Sequence, residues 1–477
     1  MQAAEMLLQR IYRVPFAPLR LATSIRQPRI PQFFVATCLY SSSTTKVSDP
    51  LRILFCGSDE FSCASLRALH AEHKRNASLI RSIDVVVRPG KRTGRGLKVV
   101  HEAPIRKVAD ELGLAVHERD TFTGWNMPRP NSEPINLIVA VSFGLFVPPR
   151  LLTASQYGGL NVHPSFLPDL RGPAPLHHAL LAKRTHTGVS LQTLSPLAFD
   201  AGTILAQTPL PGIPIPPSCT VTQLRDQLAP LGAEMLVRGL RDGVHAPPHE
   251  PVGWMPSSTS PPLKHAPKLT QADKQVLWSR SSAEDIALQS RVLGPVWTRA
   301  LLHDGREKRL MLEDLSPAPQ NTWPAQVISF VRTMQQQQQQ QQKPASGVHH
   351  SSSSSSTDLS SAKEPPKTIT WLEASPPTNS AASSSNNTRH HRKTPYFIDE
   401  ATILVPMAKG GFLRIGSIKV EGDKSRNAAT AIKPFSQEQE PVGSGSYFVD
   451  ELIGLFLDPR LPDHFSSWLE DIDIDIF

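Results

Sequence analysis

The chain is poor in cysteine, lacks a long apolar run and has no glycine fingerprint for a dinucleotide. Its four cysteines, Cys38, Cys56, Cys63 and Cys219, stand far apart in 477 residues and form no C-x-x-C pair. That excludes a disulfide framework and gives no support for a metal site. Reduced, structural thiols are expected. No apolar stretch approaches the roughly 20 residues that a helix needs to cross a bilayer. No membrane anchoring is expected. The first strand-to-helix turn contains the single glycine Gly57 instead of G-x-G-x-x-G, so no dinucleotide cofactor is expected.

Acidic residues are scarce at one end. From Met1 to Ser48 the charges are Arg10, Arg13, Arg20, Arg26, Arg29 and Lys46 against Glu5. Most of the formal net charge of +8 therefore sits there. Any polyanion binding elsewhere must come from local patches. The stretch is also rich in Ser and Ala, and LLQRIYRVPF can form a short amphipathic helix. Residues 1–46 read as a mitochondrial transit peptide, cleaved between Pro31 and Lys46. The competing reading is a basic arm that binds nucleic acid.

Beyond it, strands and helices alternate. RILFCG is a strand and FSCASLRALHAE its helix. SIDVVVRP is a strand, and HEAPIRKVADELGLAVHE gives a helix and a further strand. This pattern predicts an α/β domain with a Rossmann-like parallel sheet over residues 50–207. Residues 208–262 are proline-rich and read as a linker, with one amphipathic helix near Val221 to Leu240. A second domain is expected over 263–436. The Gln- and Ser-rich stretch 332–393 cannot bury a core and reads as a disordered insertion within it. Trp278 and Trp297 are expected in that domain's core. Two β runs joined by Lys409-Gly410-Gly411 signal a hairpin. Residues 437–477 form a C-terminal extension, for whose alternating Asp and Ile no function is assigned.

The densest chemistry lies at GGLNVHPSFLPDLRGPAPLHHAL, Gly158 to Leu180. In a strand, Asn161 and His163 point to one face while Val162 points to the other. An amide and an imidazole then meet at a strand's C-terminal end, where open α/β sheets bind ligands. Pro164, Pro168, Gly172, Pro173 and Pro175 stop the strand and stiffen the loop. Alone, this N-x-H fits a structured loop with one solvated His. Asp200, just before Gly202, fits a turn residue, or a carboxylate that orients the imidazole.

NVHPSFLPDLRGPAP followed by TGVSLQTLSPLAFDAGTIL resembles the 10-formyltetrahydrofolate-dependent formyltransferases. Phe166 stands where the family has Leu, and Ala201 where it has Thr. The spacing from Gly188 to Asp200 is one residue longer. RILFCGSDEFS, RPGKRTGRGLK and the segment Leu263 to Leu302 extend the resemblance. The presence of both halves is most similar to the branch whose acceptor is initiator methionyl-tRNA.

The resemblance implies formyl transfer from 10-formyltetrahydrofolate, release of tetrahydrofolate, an OB-like second domain that binds tRNA, and a monomer in the mitochondrial matrix. Asp200 takes the place of the family's catalytic Asp. Ser165, Phe166, Leu167 and Pro168 match its folate-contacting stretch. In acyl transfer to an amine, negative charge grows on the formyl oxygen. The Asn161 amide can stabilise it, and His163 can donate there or to the departing folate nitrogen. Asp200 can accept a proton or hold the imidazole.

Arg88, Lys91, Arg92, Arg95 and Lys98, spaced by Gly90, Gly94 and Gly96, suit phosphates better than a core. They are expected to hold tRNA. Competing readings are a small-amine formyltransferase, a hydrolase that releases formate from the same cofactor, and a non-catalytic RNA-binding protein.

Overall fold

A computed structural model describes residues 46, 48–254, 262–341, 367–374 and 389–437. Apart from Lys46 and Gln437, the transit segment and the C-terminal extension lie outside these. So do residues 255–261, 342–366 and 375–388.

The first domain runs β1 (Leu51–Gly57), α1 (Glu60–Arg75), β2 (Ile80–Val87), β3 (Lys91–Thr93), β4 (Val99–His101), α2 (Pro104–Glu111), β5 (Ala115–Glu118), β6 (Leu137–Val141), α3 (Pro149–Ala154), β7 (Gly159–His163), α4 (Pro175–Leu181), β8 (His186–Thr187), β9 (Ser190–Thr193), β10 (Ile204–Gln207), β11 (Ile213–Pro214) and α5 (Val221–Arg241). Its main sheet is ordered β10-β9-β7-β6-β1-β2-β5.

β5, β2, β1, β6 and β7 are parallel. β9 is antiparallel to β7, and β10 to β9. The expected parallel sheet therefore carries a reversed strand near one edge. A loop suffices to join β9 to β10, because antiparallel neighbours need no helical crossover. The order switches direction between β1 and β6, which opens a crevice at their C-terminal ends.

The strands are apolar on both faces, as a sheet covered by helices requires. Ile53, Phe55, Val85 and Val139 face one core and Leu54, Cys56, Val86 and Ile138 another. α1 starts where the Asp59 side chain accepts a hydrogen bond from the Ser62 amide, the N-cap arrangement that satisfies a free donor. Phe61, Leu66 and Leu69 bury its inner face.

α5 covers the same core through Leu224, Leu228, Leu236 and Leu240. Each such leucine contributes roughly 1.5–3 kcal/mol by burial. Buried Glu72 of α1 receives Arg241 of α5 through Nε at 3.0 Å and a second nitrogen at 2.6 Å, and also pairs with Arg75. The helix that the sequence sets in a linker is thus a wall of the first domain. β11 pairs with β8 of the same domain.

The second domain contains α6 (Ala283–Leu293), β12 (Val296–Leu301), β13 (Glu307–Ala318), α7 (Ala325–Gln341), β14 (Lys367–Ala374), β15 (Arg389–Asp399), β16 (Thr402–Pro406), β17 (Phe412–Val420), β18 (Ser425–Asn427) and α8 (Ala428–Ala431). Its antiparallel sheet runs β13-β12-β14-β15-β16-β17-β18, and β13 pairs again with β17. The ladder thereby returns on itself. Trp278 and Trp371 stack in its core, centroids 4.5 Å apart.

The stretch expected to be disordered contributes to this core. α7 continues to Gln341, and β14 pairs with β12 and β15. Thr368 to Glu373 are all buried. TITWLE is a short β-branched and aromatic run that low-complexity flanks conceal. Trp297 departs from its expected core place. It is half-buried, its Nε1 donates to the Gln271 carbonyl at 2.7 Å, and the Arg309 guanidinium lies 4.4 Å from its ring. α6 joins the two cores: Leu288, Val292 and Leu293 enter the first and Ile286 the second.

Candidate active site

Strand alternation determines the centre of the site. Val162 is 1% exposed in the core, while Asn161 and His163 turn to the other side. Asp200 comes to meet them on the far end of the β9–β10 loop. Asn161 Nδ2 donates to Asp200 Oδ1 at 3.0 Å. His163 Nδ1 lies 3.4 Å from the same oxygen. The Gly172 amide donates to Oδ2 at 2.9 Å. The three residues that the sequence reading assigned to catalysis therefore form one cluster. His163 and Asp200 side chains are only 7% and 10% exposed.

The imidazole is held from both sides. Its Nε2 lies 3.0 Å from the Leu170 carbonyl oxygen. A carbonyl only accepts, so Nε2 carries hydrogen in that contact. Leu170 and Asp200 both adopt positive φ, 58° and 52°. Such backbone costs energy in a non-glycine residue and persists where surroundings enforce it. Here both strained residues present an acceptor to His163.

The loop between His163 and α4 is anchored beyond the sheet. The Leu170 amide donates to the Lys264 carbonyl at 2.7 Å, and the Ala266 amide to the Arg171 carbonyl at 2.7 Å. A Cβ added to Gly172 would lie 2.4 Å from the Ala266 oxygen at φ +122°. Glycine is required where these two backbones meet.

The cluster opens into a cavity of about 550 Å³ at the crevice between β1 and β6. This volume suits a small-molecule ligand. Its walls include Asp59, Phe61, residues 142–147, His177, Thr193, Phe199, His265 and Lys268. Phe146 and Phe199 meet edge to face across it, centroids 5.2 Å apart. Burial pushes the Asp59 carboxyl above its ordinary range, with donors from Ser62 and Ser142 opposing it. Burial pushes the His177 imidazole down. A second hollow of about 420 Å³ shares Leu145 and Phe146 with this one.

Sequence reasoning missed several of these groups. Gln192 is 1% exposed on β9, opposite Asn161 in the strand pairing. Its Nε2 donates to Asp200 Oδ1 at 3.1 Å, and its Oε1 accepts from the Gly202 amide at 3.2 Å. The signal was a lone amide inside the apolar run VSLQT. Asp59, the N-cap of α1, also lines the cavity. His265 and Lys268 reach the cavity from the interdomain segment, which no local pattern reveals.

Ser165, Phe166, Leu167 and Pro168 are not among the residues that line the cavity. Ser165 is fully buried, and its Oγ donates to the Asp169 carbonyl at 2.8 Å. The Leu167 amide donates to Ser190 Oγ at 3.1 Å. The Phe166 ring fills the space over Gly188 and Gly212. Pro168 is half-buried. The quartet fastens the loop after β7 to β9.

The basic loop forms the β3–β4 hairpin beyond the C-terminal end of β2. Lys91, Arg92 and Lys98 are exposed, and Arg88 is half-buried. The Arg95 side chain lies outside the described atoms. Gly94 and Gly96 take φ of 77° and 76°, which makes the tight tip. Leu97, Val99 and Val100 are exposed beside the cations. None of these residues lines the cavity.

A family model described as formyl transferase matches residues 51–240. The chain is 34% identical over 303 residues to the mitochondrial methionyl-tRNA formyltransferase of Saccharomyces cerevisiae, covering 56% of this chain and 74% of that one. It is 33% identical over 235 residues to the methionyl-tRNA formyltransferase of Acidiphilium cryptum, covering 49% and 71%. Against the mitochondrial enzyme of Homo sapiens it is 33% identical over 255 residues, covering 53% and 60%.

Proposed function

The chain belongs to the methionyl-tRNA formyltransferases, and we propose that Asn161, His163 and Asp200 carry the reaction in it. It transfers the formyl group of 10-formyltetrahydrofolate to the free amino group of methionyl-tRNA and releases tetrahydrofolate. The formylmethionyl-tRNA serves initiation of mitochondrial translation. The observation that carries the site assignment is the convergence of the Asn161 amide and the His163 imidazole on Asp200 Oδ1.

The neutral amine attacks the formyl carbon, and charge develops on its oxygen. The Asn161 amide has two hydrogens. One is bound to Asp200, which fixes the amide plane, and the other is free to donate to the growing oxyanion. One preorganised donor of this kind contributes about 3 kcal/mol. The carbon–nitrogen bond to folate then breaks, and that nitrogen takes a proton. His163, on a ring held through Nε2, first takes one proton from the incoming ammonium at Nδ1, which leaves the amine neutral for attack, and then donates that proton to the folate nitrogen. The second proton of the incoming ammonium leaves to solvent. The Asp200 side chain orients both groups.

The folate is taken by the cavity beside β6, against residues 142–147. Ser165, Phe166, Leu167 and Pro168 serve it by holding the loop. Arg88, Lys91, Arg92, Arg95 and Lys98 grip tRNA phosphates from the hairpin, and the closed β domain, read as OB-like, contributes further RNA contact. The protein acts in mitochondria. The matrix, a cleaved transit segment within residues 1–46 and a monomeric state complete the reading.

The test is Asn161→Ala and His163→Ala, assayed with methionyl-tRNA and 10-formyltetrahydrofolate. Turnover should fall by about 10² or more in each, since 3 kcal/mol corresponds to about 10²-fold. Unchanged turnover in either variant would remove its residue from the mechanism.

A further inference from the structure

Asp200 Oδ1 is crowded by polar groups from two strands, β7 and β9. Asn161 Nδ2 is at 3.0 Å, Gln192 Nε2 at 3.1 Å and His163 Nδ1 at 3.4 Å. The other oxygen takes the Gly172 amide. Of these groups Gln192 alone also binds the chain on the far side of Asp200. Its Oε1 receives the Gly202 amide at 3.2 Å. The amide thus spans Asp200 and the second residue after it. That fixes the turn in which Asp200 holds its φ of 52°. Gln192 stands opposite Asn161 on the neighbouring strand and is 1% exposed.

We infer that Gln192 is a positioning residue for formyl transfer, which holds the Asp200 carboxylate aimed at Asn161 and His163. The inference rests on the site reading above. Donors to a carboxylate favour its charged form, and a neighbouring carboxylate disfavours it. Other charged or titratable groups are His163 on β7, beside Asp200, and, lining the same cavity, Asp59 after β1, His177 on α4, and His265 and Lys268 on the interdomain segment. None of them supplies the double contact to Asp200 and Gly202.

Two substitutions separate position from charge. Gln192→Leu removes the donor and the acceptor with little change in volume. Gln192→Glu keeps the shape and replaces the donor by a group that shares a proton with Asp200 at neutral pH. Steady-state formylation of methionyl-tRNA would be followed against pH for the full-length protein and both variants, with Asp200→Asn and the thermal midpoint recorded alongside.

The expected result is a fall in kcat of at least tenfold, with KM for 10-formyltetrahydrofolate within twofold of wild type. The acid limb of the kcat profile should move to higher pH in Gln192→Leu and further in Gln192→Glu. A variant that merely loosened the fold would lose kcat in step with its thermal midpoint and leave the limb in place. That result overturns the inference. Asp200→Asn with wild-type turnover would instead overturn the underlying site reading.

Discussion

At the scale of single residues, the site works by exclusion of alternatives. Asn161 and His163 can each rotate in principle, but each is tied to Asp200, and His163 also to Leu170. His163→Gln should keep a donor near the Leu170 carbonyl but lose the proton transfer. Turnover is expected to fall by about 10²–10⁴, while 10-formyltetrahydrofolate binding, read by protein fluorescence, stays within threefold.

The clustering of Asn161, His163 and Asp200 was legible because strand alternation places Asn161 beside His163, and because the family's motif pointed to Asp200. Gln192 was not legible. Its partner lies across a strand pair and a loop, and no spacing in one sequence encodes that contact.

A second residue-scale prediction concerns pH and lies far from the site. His245 is fully buried; its Nε2 lies 2.7 Å from Ser48 Oγ, and its Nδ1 has no hydrogen-bond partner among the described residues. Burial, with help from His249 and Lys46, lowers its pKa to about 4. An unfolded imidazole titrates near 6.5. The unfolded state therefore binds more protons between these values, and stability falls as pH drops through them. The loss approaches about 3 kcal/mol by pH 4, from roughly 1.4 kcal/mol per pKa unit. His245→Gln keeps a polar contact with Ser48 and does not titrate. Its denaturation midpoint should vary less between pH 7 and pH 5 than that of wild type.

At the scale of elements, glycine decides how closely the loops approach. A Cβ on Gly202 would lie 1.8 Å from the Thr193 carbonyl oxygen. Gly202→Ala must push the β9–β10 loop outward and carry Asp200 with it. The expected cost is at least 1–3 kcal/mol, with turnover reduced more than the thermal midpoint alone would explain. The β3–β4 hairpin is the other element with a distinct task. Replacing Lys91 and Arg92 by Ser should raise KM for methionyl-tRNA severalfold, leave KM for the folate unchanged, and lower the salt slope of tRNA binding by about 1–2.

Element boundaries were harder to read than element types. Proline around α5 suggested a linker, yet Leu224, Leu228, Leu236 and Leu240 bury that helix against α1. Serine and glutamine around β14 suggested disorder, yet Trp371 sits at 0% exposure. In both cases composition of the flanks outweighed a short apolar pattern that tertiary packing uses.

At the scale of the whole molecule, two domains share packing and the walls of one cavity. α6 places Leu288, Val292 and Leu293 in the first core and Ile286 in the second. The segment leading to it lends His265 and Lys268 to the cavity and its backbone to the loop after β7. Damage to the second core should therefore reach the first. Trp371→Ala removes half of a buried indole stack and should cost about 3–5 kcal/mol, read as a shift in the urea midpoint.

The central claim is that formyl transfer to methionyl-tRNA occurs at Asn161, His163 and Asp200. The most direct measurement supplies the full-length protein with 10-formyltetrahydrofolate and methionyl-tRNA, and follows formylmethionyl-tRNA. Free methionine serves as a control acceptor and His163→Ala as a control protein. The account predicts product that requires both the tRNA and His163. Product that forms equally well without His163, or on free methionine, would contradict it.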